Sequence, residues 1–367
     1  MKKRHFLKTI TYGTAGILAF SYGLSGCFGP GHKAGHKSWA WVHPTKPPDP
    51  AITNDEWKKL LSDLKKWGID SVLLLTRTKS IIEEVLPLAK QVGIELHAWI
   101  ISLEWPDSST MKEHPQWYVV NGNGESCLEK PAYINDYRWL CPNNPEVLEF
   151  MTKRITELCS YHDLAGVHLD YIRYPDVVLA SAHRVKYDIP QDELVHPQFD
   201  YCYCDLCRSG FRQLSGVDPL TLKDQATNEA WLNFRYNSLT NLVNELYDTA
   251  HRAGKILTAA VFPTPGLAKM RVRQDWVKWK LDCVMPMIYQ KYENKPVEWI
   301  GTAVREGVEA LSGKLPLYSG LHLSQLTPAE LGLAANFSLK AGASGIVLFT
   351  GNKMNNDYWN YLEKEVH

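Results

Sequence analysis

Short apolar runs alternate with longer segments of helical periodicity along most of the chain. Residues 39–43 form an apolar run that ends in a polar residue. Thr53-Asn54-Asp55-Glu56 then reads as a capped helix start, with a hydroxyl side chain three residues before a Glu, and that helix is predicted to reach Trp67-Gly68. A second run, 71–75, precedes a helix over 81–92 closed by Gly93, and 95–102 is the third. After a long loop comes a helix from Pro145 to about Tyr161, then a fourth run at 166–170. A large insertion over about 175–226 precedes a long helix over roughly 228–253. Runs at 256–262, 283–289, 315–320 and 345–350 complete the series. Helices are predicted over about 297–311, from Thr327, whose partner Glu330 repeats the capping pattern, and at the C-terminal end.

Runs of strand length alternating with helices imply parallel βαβ units. Eight of them in about 330 residues predict a (β/α)₈ TIM barrel, because the longest connections follow strands rather than helices. A doubly wound sheet is the other arrangement that the alternation allows. Nothing in the composition divides 38–367, so a single domain with an insertion after the fourth strand is expected, with no 20–50-residue repeat beyond the βα alternation.

The first residues read as an address. Lys2, Lys3 and Arg4 precede an apolar stretch too short and too rich in Gly and Ser for a good membrane span. Leu24-Ser25-Gly26-Cys27 resembles the bacterial lipobox. That resemblance implies a signal peptide over 1–26, lipidation of Cys27 and attachment to the bacterial cell envelope, on the outer membrane or cell surface. An ordinary cleaved secretory signal is the alternative. Residues 27–37, rich in Gly, read as a flexible tether.

Charge removes some classes of function. Forty Lys and Arg balance forty Asp and Glu, which argues against a nucleic-acid partner, whose phosphates call for a basic excess. With 45% hydrophobic and 22% charged residues, the chain is not an acidic disordered tail. Thirteen Trp and eighteen Tyr against ten Phe are unusual. Rings with a polar handle suit ligand-lining surfaces as well as cores.

In a barrel of this kind chemistry belongs at the C-terminal ends of the strands. That rule selects His43, Arg77, Glu104, Trp105, Asp170, Arg173, Tyr174, Phe262, Tyr289, Gln290, His322 and Asn352, and it discards Asp70 and Asp282 at strand starts. The strongest local signal is Gly166-Val-His-Leu-Asp170-Tyr-Ile-Arg173-Tyr174-Pro175. Strand alternation puts Val167 and Leu169 on the helix side and His168 and Asp170 inside, with Asp170 nearer the mouth. A carboxylate there needs a partner, and His168 or Arg173 could supply it.

The run Asn143-Asn144-Pro145-Glu146-Val147, followed by the 166–175 motif, resembles the glycoside-hydrolase-like family 10 barrels, the DUF187 group. His97-Ala-Trp99, His114-Pro115-Gln116-Trp117 and the segment Asp282 to Tyr289 fit the same pattern, and the resemblance spans roughly 38–350. It implies a (β/α)₈ fold acting on glycosidic bonds of a carbohydrate, with no cofactor required. More distantly, Gly-Val-His-Leu-Asp resembles the strand of α-amylase-like enzymes whose Asp is the nucleophile. Two positions depart from the family: Tyr171 stands where a second Asp is common, and Met287 where Gln is frequent.

Glycoside hydrolysis ordinarily takes two carboxyl groups. Asp170 is the first expected member. Glu104 is the preferred second, with Trp105 expected to raise its pKa by desolvation, and Asp176 and Glu293 are alternatives. Trp41, Trp99, Trp105, Tyr174 and Tyr289 could stack on sugars, beside His43, Arg77, His168 and Arg173. The missing second Asp motivates another reading, a catalytically decayed glycan-binding surface lipoprotein.

Cys202-Tyr-Cys204-Asp-Leu-Cys207 falls within the insertion. Three thiolates at this spacing could hold a structural Zn²⁺, with His196, His183 or Cys127 as fourth ligand. A disulfide plus a free thiol suits an exported protein equally well. A metal-dependent hydrolase using this cluster is a third, weaker reading. Cys141, Cys159 and Cys283 lie in or beside apolar segments and read as small buried residues.

Overall fold

The computed structural model describes residues 36–44 and 51–366. The proposed signal, tether and lipidation site at Cys27 lie outside them. Eight strands form one parallel sheet: β1 (Lys37–Val42), β2 (Ser71–Leu75), β3 (Glu95–Ile101), β4 (Gly166–Asp170), β5 (Ile256–Val261), β6 (Cys283–Pro286), β7 (Tyr318–His322) and β8 (Gly345–Phe349). Neighbours follow chain order from β1 to β6, and β8 sits between β1 and β7. Isolated parallel bridges, Val284 to Leu317 and Met287 to Gly320, return β7 to β6. The eight alternations therefore resolve as a (β/α)₈ barrel, not a doubly wound sheet.

Local chemistry accounts for the elements. The helix Asn54–Lys66 begins with a reciprocal capping box between Thr53 and Glu56, and Pro328–Lys340 with one between Thr327 and Glu330. Each such cap contributes about 1 kcal/mol. Trp57, Leu61 and Leu64, spaced on one helical face, are fully buried against the barrel, at about 2 kcal/mol per side chain. Gly93 ends the helix Lys79–Val92 in the left-handed conformation, φ 73°, which its missing Cβ permits.

The strands are buried on both faces, as a parallel barrel requires. Val167 and Leu169 pack outward in the large core beneath the helices. Trp39, Trp41, Leu73, Trp99, Met285, Tyr318 and Val347 fill the interior. Close approach explains Gly166: a Cβ there would meet the Ile256 carbonyl oxygen at 2.5 Å. Asp70 and Asp282 tie the strand starts, accepting from the backbone N–H of Ser38 and of Leu257. Among the described residues no helix is long and apolar enough to cross a membrane.

Candidate active site

A cavity of about 580 Å³ opens at the C-terminal ends of the strands, within the range of small-molecule sites. Its floor is Trp41, Trp99 and Asp170 from the strands. Its walls come from the long connection after β3 and from the insertion after β4.

Asp170 is the last residue of β4 and is buried. Its Oδ2 accepts from Trp99 Nε1 at 3.0 Å and its Oδ1 from the Tyr171 backbone N–H at 2.7 Å. The second bond exists because Tyr171 turns the chain with φ 52°, a left-handed conformation that a bulky residue adopts only at a cost of order 1–3 kcal/mol. Burial nevertheless dominates and pushes the Asp170 carboxyl up to about 6.

Glu104 lies three residues past β3, where an antiparallel bridge to Trp139 holds its backbone. Its half-buried side chain lines the same cavity. Burial pushes its carboxyl up to about 7, the Asp170 charge adds to the rise, and Arg173 and Arg77 oppose it. Among the described residues it has no hydrogen-bond partner. The two carboxyls thus share one cavity but not one environment, the condition that separates an acid from a base.

The alternative carboxylates are engaged elsewhere. Asp176 accepts from the Tyr137 hydroxyl and from Arg173 Nη1 at 2.8 Å. Both carboxylate oxygens of Glu293 accept from Arg271 Nη1, at 2.6 and 2.8 Å. Arg173 itself lies over the rings of Trp139 at 4.5 Å and of Tyr171 and Phe262 at 5.3 Å. It is a fixed positive charge facing the cavity, and its partner is Asp176, not Asp170.

Three expected ligand contacts are not at the cavity. His168 lies beneath it: its Nε2 accepts from Trp41 Nε1 at 2.9 Å and its Nδ1 meets Thr258 Oγ1 at 2.8 Å. An indole N–H can only donate, so Nε2 is unprotonated and the ring neutral; burial holds its pKa well below the usual imidazole value. The ring therefore orients Trp41 and does not pair with Asp170. Trp105 faces outward onto Phe150 with the Arg154 guanidinium 4.5 Å from its ring, so it does not desolvate Glu104. Tyr174 is buried on the far side, beside the cysteine cluster. The reason is common to the last two. Extended backbone sends successive side chains to opposite faces, so with Glu104 and Arg173 facing in, Trp105 and Tyr174 face out.

His43, Arg77, Trp99 and Tyr289 line the cavity. Asn352 clasps the His43 backbone through both amide atoms, at 3.1 and 3.0 Å. Tyr289 stacks on Phe349 with centroids 5.8 Å apart, and burial raises its hydroxyl well above the usual value. Tyr133, Tyr137 and Tyr292, which the strand-end rule does not select, form much of the upper wall. The signal available was an aromatic cluster, Tyr133 to Trp139, inside an otherwise polar loop.

The cysteine cluster differs from expectation. Cys202, Cys204 and Cys207 are joined by Cys141, not by His196, His183 or Cys127, and the four sulfurs lie within 4.8 Å of one another. His196 contacts Asp192, His183 packs on Tyr292, and Cys127 contacts the Trp139 backbone. Such a cluster could bind a metal. None of its members lines the cavity, which removes the metal-dependent hydrolase reading. Cys159 and Cys283 are buried, as expected.

The model of the family described as Glycosyl hydrolase-like 10 matches residues 63–333. No curated protein matches the chain significantly. Among solved structures, the catalytic domain of a β-amylase from Paenibacillus polymyxa superposes with a TM-score of 0.59 at 11% identity, covering 91% of this chain and 98% of that one. A β-galactosidase from the psychrophilic Marinomonas ef1 gives 0.54 at 11% identity, over 85% of this chain and 54% of that one. A class V chitinase from Pseudomonas fluorescens Pf-5 gives 0.50 at 10% identity, over 90% and 100%. At such identities the likeness concerns the fold.

Proposed function

The chain belongs to the glycosyl hydrolase-like 10 family, and from that membership we propose that it hydrolyses O-glycosidic bonds of an oligo- or polysaccharide with Glu104 and Asp170. The observation that carries this reading is the pair of carboxyls in one cavity, one near 7 without a hydrogen bond and one near 6 holding two. Glu104, still protonated near neutrality, is the general acid for the leaving oxygen. Asp170 is ionised first and acts as nucleophile, or as base toward water. Arg173 and Arg77 favour the Glu104 carboxylate left after proton transfer. Trp41, Trp99 and Tyr289 line the cavity where the sugar would lie.

A second reading keeps glycan binding without turnover, and Tyr171 in place of a second Asp favours it. Glu104 supplies the second carboxyl from the connection after β3 and favours hydrolysis. A turnover screen over defined glycans run beside a glycan-binding array separates the two. Binding with no turnover of any bound glycan would leave only the binding reading. We also propose attachment to the cell envelope through lipidated Cys27. Unchanged processing of a Cys27→Ala variant would refute it.

A further inference from the structure

Four sulfurs converge from two segments that are distant in the chain. Cys141 lies on the connection between β3 and β4, just before the helix Pro145–Cys159. Cys202, Cys204 and Cys207 lie in the insertion after β4. Cys141 Sγ is 3.5 Å from Cys207 Sγ and 3.7 Å from Cys204 Sγ. A disulfide would require about 2.05 Å. Four thiolates about 2.3 Å from a tetrahedral Zn²⁺ would stand about 3.8 Å from one another. The observed separations match the second geometry.

The surroundings suit thiolates. The backbone N–H groups of Val120 and Cys204 point at Cys202 Sγ, at 3.5 and 3.4 Å, and Asn143 Nδ2 donates to Cys207 Sγ at 3.3 Å. Cys204 is the N-cap of the eleven-residue helix Asp205–Ser215, and Cys207 sits in its first turn, where the helix dipole favours negative charge. Cys141, Cys202 and Cys207 are buried and Cys204 is half-buried. Donors of this kind around metal-bound sulfur orient the ligands and hold their charge.

We propose that Cys141, Cys202, Cys204 and Cys207 bind one Zn²⁺ as a tetrathiolate site. Four sulfur ligands complete the tetrahedron and leave no open position, so the ion is structural and not catalytic. Its role is to staple two cavity walls together. Tyr133 and Tyr137 come from the segment that ends at Cys141, and Asp176 and His183 from the segment that leads to Cys202. Beside the cluster, buried Asp200 pairs with Arg235 and Arg273, a network that depends on the insertion staying folded against the barrel.

The test is elemental analysis of the purified full chain, with thiol counting and intact mass. The expected result is one zinc per chain, released when four thiols are blocked by a mercurial. Exchange into Co²⁺ should give the visible and near-ultraviolet absorption of a tetrahedral thiolate complex. Cys141→Ser and Cys204→Ser should each lose the zinc and lower Tm, whereas Cys159→Ser keeps both. Metal-free protein with two disulfides among these four residues would overturn the proposal, as would stoichiometric iron in place of zinc or full zinc retention in Cys141→Ser. If the serine variants do not fold, the metal content and cobalt spectrum of the unaltered protein still decide.

Discussion

Glu104→Gln separates a proton donor from a merely polar wall. Glutamine keeps the size of the side chain and removes the transferable proton. General acid catalysis contributes about 10²- to 10⁴-fold, so turnover of a glycan with a poor leaving group should fall by that factor. An aryl glycoside whose leaving group needs no proton should lose far less. The pH profile is more specific. With Asp170 near 6 and Glu104 near 7, the active form peaks at about pH 6.5 and falls roughly 20-fold by two pH units on either side. In Glu104→Gln the alkaline limb disappears and the acid limb stays. Stability should move the opposite way. Because the folded-state pKa is raised from 4.5 to about 7, ionising Glu104 penalises the folded state. The penalty is absent below the unfolded value and complete above the folded one. A full shift corresponds to at most about 3 kcal/mol, and partial solvent exposure reduces this to about 1–2 kcal/mol. The variant should therefore melt roughly 1–3 °C higher at pH 8.5 and no higher at pH 4. The assay is calorimetry beside pH-dependent kinetics. An alkaline limb that survives in Glu104→Gln would refute the assignment of Glu104 as the acid.

Asp170→Asn should abolish hydrolysis while glycan binding persists, and retained turnover would remove Asp170 from the mechanism. Trp99→Phe deletes a hydrogen bond to the ionised Asp170, which should raise its pKa and shift the acid limb upward by up to about one pH unit; an unmoved limb in the kinetic profile would contradict that link. Arg173→Met strands the buried Asp176 carboxylate and should cost about 3–5 kcal/mol in urea unfolding, against near-neutral behaviour if the pair were solvated. Trp105→Phe should leave glycan affinity unchanged in titration calorimetry, because the ring packs on Phe150 outside the cavity.

Much of this architecture was legible in one dimension. Eight apolar runs with the period of strands, separated by capped helices such as those beginning at Thr53 and Thr327, leave few arrangements other than a barrel, since each unit must bury a face against its neighbours. The position of Asp170 at the mouth also followed, because strand period and the polarity of a parallel barrel are local properties. Trp105 and Tyr174 were expected in the cavity, yet alternation continues into the loops and turns them outward once Glu104 and Arg173 face in.

What the chain could not show by itself depended on distance in sequence. Cys141 joins Cys202, Cys204 and Cys207 only because the β3–β4 connection folds against the insertion, and no spacing rule links residues so far apart. Arg173 pairs with Asp176 and not with Asp170 because Tyr137, from another segment, fixes the Asp176 carboxyl. The raised pKa values of Glu104 and Asp170 have the same origin. A side chain's polarity is written in its residue type, but its desolvation is set by every segment that closes over it, and only the folded barrel brings those segments together.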